Sequence, residues 1–368
     1  MKNSAKIICF LLLSVVIFQS CRLGRFVYYN FANITDHRIF PYRTIETSSS
    51  AFIFPKARRP KQPENIDSDK GNEPFDSYLE RTKTVAFLVI QDDSIQYEKY
   101  FNKYAEESIV ASFSMAKSIT SMLIGIAIEE GKIQSVDEPI THYIPELKPN
   151  GFDAVTIKHL LQMTSGLDFN ESYTNPFGHA ATFYYGTNLR KAITKLKLKD
   201  TPGEKFDYTS GTTQLLGLVL ERALRTQTVS SYLEEKIWKP LGMEYDATWS
   251  LDRKKDGLEK TFCCLNARAR DFAKLGRLYL HNGKWNDTQV IPERWVKAST
   301  KLDTTEHSAP FYQYQWWLTK NAAQFYAQGI LGQYIFVDPD KNLIIVRLGE
   351  KTSKVNWVRF IAQVANSY

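Results

Sequence analysis

A chain of 368 residues that is 43% hydrophobic and 24% charged has material for one large globular domain or two. Its formal charge of +7 is scattered, and the clusters Lys56 to Arg59 and Lys195 to Lys199 lack interleaved aromatics, which sets nucleic-acid binding aside. Four cysteines, two of them adjacent at Cys263-Cys264, imply no disulfide framework, because neighbouring Cα atoms sit closer than disulfide geometry favours.

Lys2 and Lys6 precede an apolar run from Ile7 to Phe18 that is too short to anchor stably across a bilayer. Ser20-Cys21 follows it. A small residue directly before cysteine resembles a bacterial lipobox, in which Cys21 would be lipidated and become the mature N-terminus. The alternative is an ordinary secretory signal with an incidental cysteine. The lipobox reading places the protein in the bacterial cell envelope, on the periplasmic side, held to the membrane by lipid. Residues 1–20 are then a signal peptide, 21–76 an N-terminal arm and linker, and 77–368 the functional domain.

Residues 22–54 hold Phe26, Tyr28, Tyr29, Phe31, Phe40 and Tyr42 without a clear period and read as an extended arm. Pro55, Pro60, Pro63 and Pro74, set among charges, make 54–75 a linker or surface loop. The run Thr84 to Gln91 suits a buried strand, Asp92-Asp93 a turn, and residues 95–101 the returning strand.

Ser114 and Lys117 then stand at the mouth of an apolar helix carrying Ile119, Met122, Leu123, Ile124, Ile126 and Ile128. Residues three apart on a helix share a face, with Cβ atoms about 5–6 Å apart, so a hydroxyl and an amine there can share a proton. The helix is apolar on nearly every side and belongs in the core. Burial lowers a lysine pKa toward that of a useful base. Ser-x-x-Lys does arise by chance in a chain of this length. Ser114 is nonetheless the only serine with lysine three residues ahead, and it opens a core helix.

Farther along, Thr156 is placed to cap a helix through Met163 that Gly166 ends. Ser231 to Glu234 reads as a capping box, Phe272, Leu275 and Tyr279 share a helical face, and Pro292 opens a helix through Trp295. Residues 334–337 and 343–346, joined by Asp338-Pro339-Asp340, make a hairpin, and a helix over 354–364 closes the chain. Strands from both ends around a helical middle predict an α/β (α+β sandwich) fold. Its antiparallel sheet is built from N- and C-terminal strands, flanked by helices, with an inserted helical lobe.

Two further stretches can complete a site. The loop Phe206 to Gly211 precedes an apolar helix and can present Tyr208 and Ser210 to a cleft. A tyrosine beside a lysine ammonium has its pKa pulled down and can take and return a proton. Phe325 to Gln333 carries Gly329, and a strand edge with glycine can offer a backbone N–H to an oxyanion. Trp316-Trp317 and Tyr184-Tyr185 suit a cleft wall or core packing.

Ser-Phe-Ser-Met-Ala-Lys-Ser at 112–118, Tyr-Thr-Ser at 208–210 and Ala-Gln-Gly at 327–329 occur in this order. With Thr-Ile-Lys-His-Leu-Leu-Gln-Met-Thr-Ser-Gly-Leu at 156–167, they resemble the serine β-lactamase-related hydrolases. That family includes class C β-lactamases, DD-peptidases, esterases and the 6-aminohexanoate-dimer (nylon-oligomer) hydrolases. The wording is most similar to the nylon-oligomer-hydrolase-like and esterase-like branch. The resemblance implies Ser114 as nucleophile, Lys117 as its base and Tyr208 as the tyrosine that passes the proton on. It places Ser210 where many members have asparagine, able to hydrogen-bond a substrate amide. The backbone amides of Ser114 and Ile330, beside Gly329, would form the oxyanion hole. The departure is Ala327, where β-lactamases and DD-peptidases carry lysine or sometimes histidine.

The chemistry so implied is hydrolysis of a small-molecule amide or ester through an acyl-enzyme, with no cofactor or metal. No Gly-x-Ser-x-Gly elbow, zinc helix, phosphate loop or dinucleotide fingerprint competes with it, and the six histidines show no ligand spacing. Two alternatives stand beside it. A penicillin-binding or β-lactamase-type peptidoglycan enzyme is set back by Ala327. A non-catalytic binding or sensor protein that keeps the fold is set back by intact Ser114, Lys117 and Tyr208.

Overall fold

An antiparallel sheet of seven strands assembles from the two ends of the chain in a computed structural model that describes residues 22–29, 31–304, 307–320 and 323–368. Cys21 and the segment 1–20 lie outside the described residues. The strands are β1 (Thr84–Gln91), β2 (Ser94–Tyr100), β3 (Tyr312–Gln313), β4 (Trp316–Leu318), β5 (Phe325–Gly329), β6 (Gln333–Asp338) and β7 (Leu343–Gly349). They lie in the order β3-β4-β5-β6-β7-β1-β2. The β7–β1 pair, with Ile345 opposite Val89, joins the C-terminal hairpin to the N-terminal one.

The continuous apolar run of β1 has a simple cause: both faces of the sheet are covered. Side chains alternate between faces along a strand. Leu88 and Ile90 join one core with Ile344 and Val346, while Phe87 and Val89 join the other with Ile345. The helices Phe75–Arg81 and Trp357–Asn366 cover the second face through Tyr78 and Phe360, stacked 4.7 Å apart. The first face carries the helical lobe. Its members used below are α1 (Arg22–Tyr29), α2 (Met115–Glu129), α3 (His179–Tyr185) and α4 (Ser210–Leu224). As its composition predicts, α2 is buried from Met115 through Ala127.

Several local expectations are corrected. The arm is not simply extended: it forms α1, then a strand at Tyr42–Ile45 in a second, four-stranded sheet. An amphipathic helix of eight residues is too short to be stable alone and relies on tertiary partners, as Phe26 against Tyr185 illustrates. The Pro-rich stretch contains a hairpin, Asn65–Ser68 with Gly71–Pro74. Thr156 does cap its helix and exchanges hydrogen bonds with His159, but the helix ends at Leu161. Ser231 lies inside its helix, where its backbone N–H donates to the true cap, Thr228, at 3.1 Å. Cys263 and Cys264 are bridged to each other. The preference for wider Cα spacing is overcome in a tight turn in which Cys264 takes a left-handed φ of 70°.

Candidate active site

The chain reaches the site along Val110–Ala111, an edge strand of the second sheet. Phe113 then adopts φ 45°, unfavourable for a bulky side chain and held by burial of its ring. That turn sets Ser114 at the N-cap of α2, half-buried and facing a cavity.

One turn further, Lys117 reaches back. Its Nζ donates to Ser114 Oγ at 3.1 Å, Ser210 Oγ at 3.2 Å and the Phe262 carbonyl at 2.9 Å. Burial holds its pKa down to about 8, with the Glu171 carboxylate pulling the other way. The ammonium also lies 5.2 Å from the centre of the Tyr208 ring.

Tyr208 hydrogen-bonds Ser114, and burial of its hydroxyl pushes its pKa above the usual phenol range. This corrects the expectation that the lysine would draw it down. Desolvation of the buried hydroxyl outweighs its hydrogen bond with Ser114, which pulls the other way, and the Glu171 carboxylate adds to the rise.

Ser210 opens α4. Its Oγ donates to Glu171 Oε1 at 2.6 Å and its backbone N–H to Oε2 at 2.8 Å. Its proton therefore points at Glu171 and one lone pair at Lys117, so toward a substrate amide Ser210 can act only as an acceptor. Tyr173 also donates to Glu171 Oε1, at 2.8 Å. Glu171 and Tyr173 had no mark in the sequence beyond lying in a polar loop after Gly166.

Gly329 and Ile330, at the end of β5, line the same cavity as Ser114. A Cβ on Gly329 would lie 2.4 Å from the Ser112 carbonyl oxygen, so only glycine lets this strand edge approach the turn that carries Ser114. Ala327 is wholly buried opposite Ile335, and Gln328 rather than Ala327 reaches the cavity. Tyr184 and Tyr185 are cleft-wall residues, whereas Trp316 is core.

The cavity holds about 390 Å³, and none of the residues lining it carries a charge. Arg25, the arginine on α1 nearest to it in sequence, donates to the Ile39 carbonyl instead. Among the described residues no group of three or more His, Cys, Asp or Glu is placed to hold a metal ion.

The beta-lactamase family model matches residues 74–358. A 6-aminohexanoate-dimer hydrolase from Paenarthrobacter ureafaciens is 29% identical over 292 residues, covering 73% of each chain. Protein flp of Staphylococcus aureus is 27% identical over 139 residues, 36% of this chain and 26% of its own length. Among solved structures, a candidate 6-aminohexanoate-dimer hydrolase from Bacillus anthracis superposes with TM-score 0.81 at 24% identity, covering 91% of both chains. A family VIII carboxylesterase does so with TM-score 0.64 at 16% identity, covering 80% of this chain and 95% of its own. These structural likenesses establish the fold.

Proposed function

The chain belongs to the beta-lactamase family, and from that premise we propose that it is a serine hydrolase opening an uncharged amide or ester through an acyl-enzyme. The observation that carries this reading is the buried Lys117, whose amine meets Ser114 Oγ at 3.1 Å. The neutral amine takes the Ser114 proton as Oγ bonds to the substrate carbonyl carbon. The backbone amides of Ser114 and Ile330 hold the resulting oxyanion. Tyr208 passes the proton to the leaving nitrogen or oxygen as that bond breaks. Water then attacks the acyl carbon by the reverse proton path and frees the acid. The Paenarthrobacter relative is named for hydrolysing a 6-aminohexanoate dimer, whose two units an amide joins. That supports an amide as the bond cleaved, while the uncharged preference rests on the cavity wall alone.

A base with pKa about 8 is neutral in about one molecule in ten at pH 7. Turnover is therefore expected to rise with pH and level off above about 8. The Glu171 carboxylate favours protonated Lys117. Glu171→Gln removes that charge, so the acid limb of the kcat/KM profile should move to lower pH. A limb that stays in place, or moves up, would show that Lys117 is not the titrating base.

The peptidoglycan-type alternative is disfavoured by the uncharged cavity wall. β-Lactams and D-Ala-D-Ala peptides carry a carboxylate near the scissile amide. A charge-assisted hydrogen bond to it contributes about 1.5–3 kcal/mol, or roughly ten- to a hundredfold in kcat/KM. A short p-nitrophenyl ester should accordingly be cleaved with the higher kcat/KM when compared with nitrocefin. The opposite ranking would restore the β-lactamase reading.

Lipid on Cys21 and a place in the cell envelope remain part of the proposal, carried by Ser20-Cys21 after the apolar run. Fatty-acid probe labelling should disappear in Cys21→Ala, and label that persists would remove the anchor.

A further inference from the structure

The family match begins at residue 74, yet the wall of the cavity does not. Phe26, Phe31 and Ala32 of the arm line it together with Ser114. They face a strip made by α3, from which Ala180, Ala181 and Tyr185 contribute. Phe26 meets Tyr185 edge-on at 5.6 Å. Phe31 is 58% exposed and stands at the rim.

The arm is fastened on both sides of the nucleophile. On one side the Ile34 carbonyl accepts from the Ala111 amide at 3.2 Å, three residues before Ser114. On the other, buried Asp36 accepts from Tyr184 Oη at 2.7 Å and from the Asn33 amide at 2.9 Å. Lys260 holds the same end of α3, donating to the Phe183 and Tyr184 carbonyls at 2.9 and 2.8 Å while lying 5.0 Å over the Phe40 ring. These buried polar anchors fix the arm's position, so its two phenylalanines present a formed apolar surface rather than a loose cover.

We infer that Phe26 and Phe31 are specificity-determining residues that make this hydrolase select uncharged substrates bearing a linear apolar chain. The inference rests on the proposed hydrolase reading and names its substrate class more closely. An alkyl chain extending from the carbonyl bound at Ser114 meets rings and methyl groups on the arm and α3. Each methylene moved from water onto such a wall contributes about fourfold when fully buried. A charged or strongly hydrated chain gains nothing there and loses its water.

Wild-type enzyme is first treated with a fluorophosphonate, and absence of an adduct on Ser114 overturns the hydrolase reading and this inference with it. With labelling established, kcat/KM is measured on two series. One compares p-nitrophenyl acetate with the octanoate, which varies the acyl chain, and the other compares ethyl with octyl acetate, which varies the leaving group. In at least one series the longer chain should be preferred by about tenfold or more, the scale on which apolar pockets discriminate. Phe26→Ala should lower that long-to-short ratio by about tenfold and Phe31→Ala by several-fold, while Phe26→Leu keeps most of it. Because Phe31 is exposed, its variant tests the idea even should Phe26→Ala fold poorly. Fluorophosphonate labelling of each variant confirms an assembled site. No chain preference in either series, or a preference untouched in a labelled alanine variant, overturns the inference while leaving the hydrolase reading intact.

Discussion

Replacing Ser114 with alanine is expected to lower kcat by about 10⁶-fold, the scale on which an activated nucleophile acts together with its base. The surrounding structure predicts that this loss is chemical rather than structural. Ser114 sits at the N-cap of α2 without a side-chain capping hydrogen bond, so alanine removes no helix cap. Lys117 keeps the Ser210 hydroxyl and the Phe262 carbonyl as acceptors, so no buried ammonium is orphaned. Thermal unfolding should accordingly stay close to wild type while both turnover and phosphonate labelling vanish. Peptide mapping of the wild-type adduct should return the 112–118 segment modified at Ser114. Turnover within tenfold of wild type in Ser114→Ala, or an adduct mapped elsewhere, would discard the assignment.

The legible features of this chain were those with a strong local cause. A strand buried on both faces must be apolar at every position, so Thr84 to Gln91 announced itself. A hydroxyl and an amine that meet on one helical face need a fixed spacing, so the contact between Ser114 and Lys117 did as well. Glu171 was different. Its role depends on a loop returning to the start of α4, a contact across 39 residues that no period records. The arm was misread because α1, although amphipathic, is only eight residues long, too short for its period to stand out or for it to hold alone; α3 and the strand before Ser114 supply its order. The direction of the Tyr208 shift was also out of reach. Sequence shows a tyrosine and a lysine, but the balance between attraction and desolvation depends on how deeply each is buried. Ala327 illustrates the same limit, since motif order alone did not show that its side chain would face the core and Gln328 the cavity.

Tyr208→Phe is expected to lower kcat on an unactivated amide or alkyl ester by about 10²–10⁴-fold, the usual contribution of a positioned proton-transfer group. Phenylalanine keeps the ring. Its contacts with Trp317 at 5.4 Å and Tyr312 at 5.8 Å, and the face offered to Lys117 at 5.2 Å, can all persist. Only the hydroxyl beside Ser114 is removed. Burial keeps that hydroxyl protonated across the working pH range, so in the proposed mechanism Tyr208 is a neutral relay that gives a proton to the leaving atom and regains one from Lys117. Such a role has a signature that a structural role lacks. A p-nitrophenolate leaves without needing a proton, whereas an amine or alkoxide does not. The variant should therefore retain far more activity on a p-nitrophenyl ester than on an alkyl ester or amide with the same acyl group. The acid limb set by Lys117 near pH 8 should stay in place while its plateau falls. Equal losses on activated and unactivated substrates would assign Tyr208 to positioning Ser114. A variant within a few-fold of wild type on an amide would leave Lys117 as the sole carrier of the proton.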